Sequence, residues 1–157
     1  MTAKVIQLKF IKTYLKPTLK ERGFKTSGQT WWKDKGDFFI VINLQNSQWN
    51  SKEELSFCLN IGIALTSLLA DKEKKKVNHF DIIPHLRQNA YLTPERLQSI
   101  SKGGSLGYKI TDKTSLTEFI ADFKIDLEQN ILSVLDSFYT LEDCIKFYDK
   151  FEFWELV

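Results

Sequence analysis

From Leu55 to Ala70 the chain carries no charged residue, and over the first part of that run Leu55, Phe57, Leu59, Ile61 and Ile63 alternate with Ser56, Cys58, Asn60 and Gly62. A period of two places the large apolar side chains on one face of a strand and the small or polar ones on the other. The run is too short for the roughly 20 apolar residues of a membrane helix, and Ser56, Asn60, Thr66 and Ser67 interrupt it. It therefore predicts a half-buried strand, and the rest of the chain must lay apolar surface against one of its faces.

Upstream, Gln29 to Lys33 and Phe38 to Gln45 flank Asp34-Lys35-Gly36-Asp37, a polar segment with the glycine that a tight hairpin favours. In the second of these strands Phe38, Ile40, Ile42 and Leu44 share the face expected to meet the core. Phe39, Val41, Asn43 and Gln45 share the other. Asn46 to Glu53 form a polar loop around Trp49 before the long strand begins. Ser105 to Thr111 read as one more strand.

Helices are predicted at both ends. Lys4 to Arg22 place Val5, Leu8, Ile11, Leu15 and Leu19 on one stripe with Lys9, Lys16 and Lys20 opposite. Pro17 has no amide proton for the Thr13 carbonyl, so this helix is expected to kink or restart there before Gly23 ends it. Thr93-Pro94-Glu95 reads as a helix start, with Gly103-Gly104 as its end. Ser115-Leu116-Thr117-Glu118 fits a capping box ahead of Leu116, Ile120, Phe123, Leu127, Ile131 and Val134. Thr140 and Asp143 open a last helix with Leu141, Cys144, Ile145 and Tyr148 inward, and the aromatic tail Phe151, Phe153 and Trp154 is expected to pack back. Strands and helices in separate blocks predict an α+β fold, an antiparallel β-meander of three to five strands with helices on its apolar face. Residues 77 to 92 show no clean period.

Its 157 residues suit one domain, 1–157. Basic and acidic residues nearly balance at a formal net charge of +2, so no large global field draws the chain to nucleic acid or membrane, although a local basic patch is compatible with that balance. Met1 to Lys16 interleave lysines with apolar residues, unlike a secretory signal. Cys58 and Cys144 are expected to be reduced, as in the cytoplasm.

Pro17-Thr18-Leu19-Lys20-Glu21-Arg22-Gly23-Phe24-Lys25, then Trp32-Lys33, Asn43-Leu44-Gln45 and Asn60-Ile61-Gly62, resemble the bacterial domain-of-unknown-function 4304 family. The resemblance is carried mainly by residues 1–63. It implies a bacterial, cytosolic α+β protein and gives no residue a role.

No residue set predicts catalysis, a cofactor or a metal. His79, Asp81 and His85 fall short of the three or four ligands at recognisable spacing that zinc sites use, and neither cysteine is near them in sequence. A Cys58–His85 pair is the only nucleophile and base that suggests itself. The lysine row of the first helix with Trp31 and Trp32 outlines a nucleic-acid groove, but the chain holds only three arginines, Arg22, Arg87 and Arg96. The polar face of the meander is either the stronger recognition surface or a face covered by a second helix or the aromatic tail, with its amides satisfied internally. One of Trp31 and Trp32 must turn away from the core, joining Asn43, Gln45 and Asn60, while Trp49 sits in the adjoining polar loop. These six are the expected partner-binding residues. The expectation is a non-catalytic protein-binding module, of which toxin-neutralising immunity proteins are an example by analogy. The alternatives are a small-ligand protein or enzyme built around residues 77–92, favoured by a deep pocket joining His79, His85 or Arg87 to the sheet, and a nucleic-acid binder, favoured by salt-dependent binding.

Overall fold

Strand β4 (Glu54–Leu65) lies at the centre of a six-stranded antiparallel sheet. This is seen in a computed structural model that describes residues 1–69, 77–101 and 107–151, leaving out the side chains of His85, Ile100 and Ser101. Along one edge of β4 runs β3 (Phe38–Asn46), in register from Phe38 opposite Leu65 to Asn46 opposite Phe57. Beyond it lie β2 (Thr30–Asp34) and the short β1 (Lys25–Ser27). The other edge of β4 is shared. Its first residues pair with β6 (Tyr108–Thr111), and its later ones with β5 (Ile83–Arg87).

The apolar sets of β3 and β4 face the helices as their alternation predicts, and the fold is α+β. Phe38, Ile40, Ile42, Leu44, Leu55, Phe57, Leu59, Ile61 and Ile63 share one core with residues from both terminal helical segments. At its middle the Phe10 ring packs edge-on against Phe119 and Phe123 and tilted on Phe57, arrangements that add to the area buried.

The first helical segment comprises α1 (Ala3–Phe10), a π-helical stretch Ile11–Leu15 and α2 (Lys16–Glu21). Its inner face carries Ala3, Ile6, Gln7 and Phe10, then both Tyr14 and Leu15, then Leu19. The expected stripe is out of phase at its start, because Val5 and Leu8 are exposed. A stripe centred on Ile6 and Phe10 buries an aromatic ring that the Val5–Leu8 stripe would leave in water. The π turn then adds a residue to the spacing and brings Leu15 and Leu19 inward. The expected restart near Pro17 falls at Lys16, whose amide reaches back to the Ile11 carbonyl. No proline N–H is needed in that turn.

At the other end α4 (Leu116–Lys124), a π-helical stretch Ile125–Ile131 and α5 (Leu132–Leu135) run in succession, with the Ser115 hydroxyl capping the Glu118 amide. Thr140 and Asp143 form the reciprocal cap of α6 (Leu141–Tyr148). Cys144 and Tyr148 are buried there, but Ile145, expected inward, is exposed. The inward face is instead completed by Phe147 and Phe151. The two terminal segments are tied by the Tyr14 hydroxyl donating to Glu128 at 2.7 Å and by Arg22 with Asp136 at 3.1 Å. Phe153, Trp154, Gly103-Gly104 and the lysines of 72–76 lie outside the described residues.

The segment without a clean period holds short helical turns at His79–Asp81 and Gln88–Tyr91 around β5, followed by α3 (Pro94–Ser101). It crosses the sheet at Gly62, where a side chain would collide with the Pro84 carbonyl and Ile82. Pairing of β4 with β5 slips between Ile61 and Ile63 at this point. Gly62→Ala is expected to destabilise the protein by about 1–3 kcal/mol, the cost of forcing extra volume into packed surroundings. A urea midpoint equal to wild type would show that the crossing strand yields freely.

Candidate functional site

The second face of the sheet is divided in two. At one end Trp32, Phe39, Val41 and Ala64 form a smaller apolar cluster covered by Leu69, Val77 and Ile82. At the other end alternation brings Asn43, Gln45, Ser56, Cys58 and Asn60 to the same face, where Asn43 opposes Asn60 and Gln45 opposes Cys58. There the amides satisfy one another. Asn60 Nδ2 donates to Asn43 Oδ1 at 3.1 Å and to Gln45 Oε1 at 2.9 Å, and Asn43 Nδ2 donates to the Thr30 hydroxyl at 3.0 Å.

A groove of about 530 Å³ opens over this row, with Asn43, Leu44 and Gln45 on one side and His79 and Phe80 on the other. The Phe80 ring is 83 % exposed and lies against His79, with centroids 3.9 Å apart. Past Gln45 and Ser56 a second hollow of about 350 Å³ is lined by Ser47, Trp49, Asn50, Ser51, Glu54 and Ser56. Trp49 stands out of it at 84 % exposure. Its loop is nonetheless ordered by side-chain bonds: Asn50 Oδ1 accepts from the Ser56 amide at 2.8 Å, and Gln7 Nε2 donates to Asn46 Oδ1 at 2.6 Å.

The six residues predicted for partner binding therefore separate. Gln45 is exposed at the groove and Trp49 at the second hollow beyond it. Asn43 lines the groove and Asn60 lies opposite it in β4; both are largely buried, with their amide donors spent on Thr30, Asn43 and Gln45. Trp31 and Trp32 are both buried, so neither is available as an anchor. Trp31 enters the main core, its indole N–H without a partner among the described residues. Trp32 does turn to the other face, but Leu69, Val77 and Ile82 close over it. Phe80, the aromatic that replaces them, was hidden in the segment without a period.

A second polar cluster lies on the helix side. Asp126, fully buried in the π-helical stretch, accepts from Arg96 Nε at 2.8 and 2.9 Å and from the Tyr108 hydroxyl at 2.8 Å. Burial, then the neighbouring carboxylate, pushes the Tyr108 phenol well above its ordinary range. A cavity of about 200 Å³ adjoins it, lined in part by Arg96, Ser99, Lys109 and Asp122. With both carboxylate oxygens engaged by donors, this cluster ties α3 and β6 to the last helices.

Other expected chemistry is dispersed. Asp81 accepts from the Asn78 amide within its own turn. No group of three or more metal-ligating side chains occurs among the described residues. Cys58 and Cys144 are unpaired and buried, and burial raises both thiols, Cys144 to about 12. A thiol so protonated is a poor nucleophile. The His85 side chain lies outside the described residues.

The domain-of-unknown-function family DUF4304 matches residues 15–137. The chain belongs to this family. The DUF4304 match runs far beyond the quoted motifs and takes in all six strands, the groove and the Arg96–Asp126–Tyr108 cluster. No curated protein and no solved structure matches significantly. No helix among the described residues is long and apolar enough to cross a membrane.

Proposed function

We propose that the protein is a non-catalytic protein-binding module of the bacterial cytosol that holds its partner along the open half of the sheet's second face. The observation that carries this reading is the pair of aromatic side chains, Phe80 and Trp49, left in solvent at the two ends of a prearranged row of amides. Large rings supply contact area and amides fix orientation, the composition of interface hot spots. Because the amides already bond one another, binding does not have to order them. Immunity proteins that neutralise toxins are an example of such a module by analogy.

A small-ligand reading draws support from the same groove, since it joins His79 to the sheet. Size argues for the protein. From Asn43 through Gln45 to Ser47 is about 13 Å of strand, so an occupant meeting both Phe80 and Trp49 is longer than most small molecules.

Trp49→Ala and Phe80→Ala are each expected to weaken partner binding by about 2 kcal/mol or more while leaving the melting temperature nearly unchanged. Capture from the source cell with wild-type bait, repeated with both variants, is the test. Equal recovery of every captured protein by wild type and variants removes the groove as the interface.

A further inference from the structure

The small net charge conceals a segregation. Over residues 1–25 the chain holds Lys4, Lys9, Lys12, Lys16, Lys20, Arg22 and Lys25 against Glu21 alone, so the remainder is net negative. The five lysines at positions 4, 9, 12, 16 and 20 are all exposed on the outer face of the first helical segment. Among the described residues none of Lys9, Lys12, Lys16 and Lys20 has a carboxylate within 4.0 Å, whereas Arg22, Arg96 and Lys109 are each paired. Interleaved with the first of these lysines are Val5 and Leu8, 39 % and 50 % exposed. The π turn that draws Leu15 and Leu19 inward leaves Lys12, Lys16 and Lys20 facing outward.

We propose that this outer face docks onto an anionic phospholipid bilayer, the helix lying flat with its lysines over headgroup phosphates and Val5 and Leu8 entering the upper acyl region. Charge complementarity supplies the attraction: five exposed ammonium groups, of which Lys4 donates to the Gln7 amide oxygen and the other four have no carboxylate partner among the described residues, face a surface to which each lysine adds about 1 kcal/mol. Lysines extend their charged ends to the headgroups while apolar neighbours sink below them. A nucleic-acid backbone is the competing anionic surface. It would leave Val5 and Leu8 idle, the burial of Trp31 and Trp32 removes them as stacking platforms beside the lysines, and Arg22 is held by Asp136. The face looks away from the groove, on the opposite side of the sheet, so the two surfaces can act independently.

The test is co-sedimentation of the whole protein with vesicles of phosphatidylcholine doped with phosphatidylglycerol, against vesicles of phosphatidylcholine alone. Wild type is expected to bind the anionic vesicles only, and to be released by high salt. Replacing Lys9, Lys12 and Lys16 by Ala is expected to weaken binding about 100-fold, from roughly fivefold per lysine, with an unchanged circular dichroism spectrum. Val5→Ser with Leu8→Ser is expected to weaken it further, while Phe80→Ala, which reports on the groove, binds as wild type. Failure of wild type to bind anionic vesicles overturns the proposal, as does full binding by the triple-lysine variant. Salt-sensitive binding to a generic DNA duplex without vesicle binding also overturns it, in favour of nucleic acid.

Discussion

Above about pH 10 three buried phenols alone are expected to withdraw stability at about 4 kcal/mol per pH unit. Tyr14, Cys58 and Cys144, also raised by burial, add to the loss, and the protein is expected to unfold in one alkaline transition. Tyr91, Tyr108 and Tyr148 are buried, and burial above all raises each phenol well beyond its ordinary range, Tyr108 further through Asp126. The Tyr91 and Tyr148 hydroxyls lie 2.7 Å apart, one donating to the other. In the unfolded chain each ionises near pH 10. A folded-state value above the unfolded one gives stability that is complete below about pH 10 and is withdrawn as pH climbs toward the folded value, at about 1.4 kcal/mol per unit for each group. A domain stable by about 5–15 kcal/mol exhausts that margin near about pH 12. Tyrosinate absorbance and far-ultraviolet circular dichroism should change together, and Tyr91→Phe with Tyr148→Phe should move the midpoint upward. Tyrosinate from the buried phenols appearing while the dichroism is still native would show that they ionise inside the fold.

Arg96→Met is expected to destabilise the protein by about 3–5 kcal/mol, more than Asp126→Asn. The asymmetry follows from exposure: the Arg96 side chain keeps 24 % of its surface in water, while that of Asp126 has none. Removing the guanidinium leaves a carboxylate in the interior with, among the described residues, the Tyr108 hydroxyl as its remaining side-chain donor. Removing the carboxylate leaves a cation that can turn outward. Replacing both together, Arg96→Met with Asp126→Leu, should recover much of the loss, since a buried ion pair often does no better than apolar side chains of similar volume. Urea midpoints of the three variants decide it, and an Arg96→Met protein within about 1 kcal/mol of wild type would mean that water reaches Asp126.

The meander was legible because a strand's period is short and strict: once Leu55 to Ile63 alternate, every facing residue in β3 follows. The first helix was not, because two candidate stripes were in competition and only the ring cluster around Phe10 decides between them. Alternation required one of Trp31 and Trp32 to leave the core, and Trp32 did, but the cover over it comes from Leu69, Val77 and Ile82, far along the chain in segments with no pattern. Phe80 was missed for the same reason. Arg96 and Asp126 stand 30 residues apart, and an acid within a helix reads as a solvated position. The one local hint was its place between Phe123 and Leu127 in the apolar stripe.

The divided edge of β4 limits the strand surface open to edge-to-edge pairing. An apolar strand of twelve residues is the kind of template on which other chains add and aggregate. Here β3 occupies one side of it, and β5 and β6 between them occupy stretches at both ends of the other. The outer strands left to face neighbours, β1, β5 and β6, run for only three to five residues, and β5 contains Pro84, which has no amide to offer an incoming strand. The sheet therefore ends in strands too short to seed another.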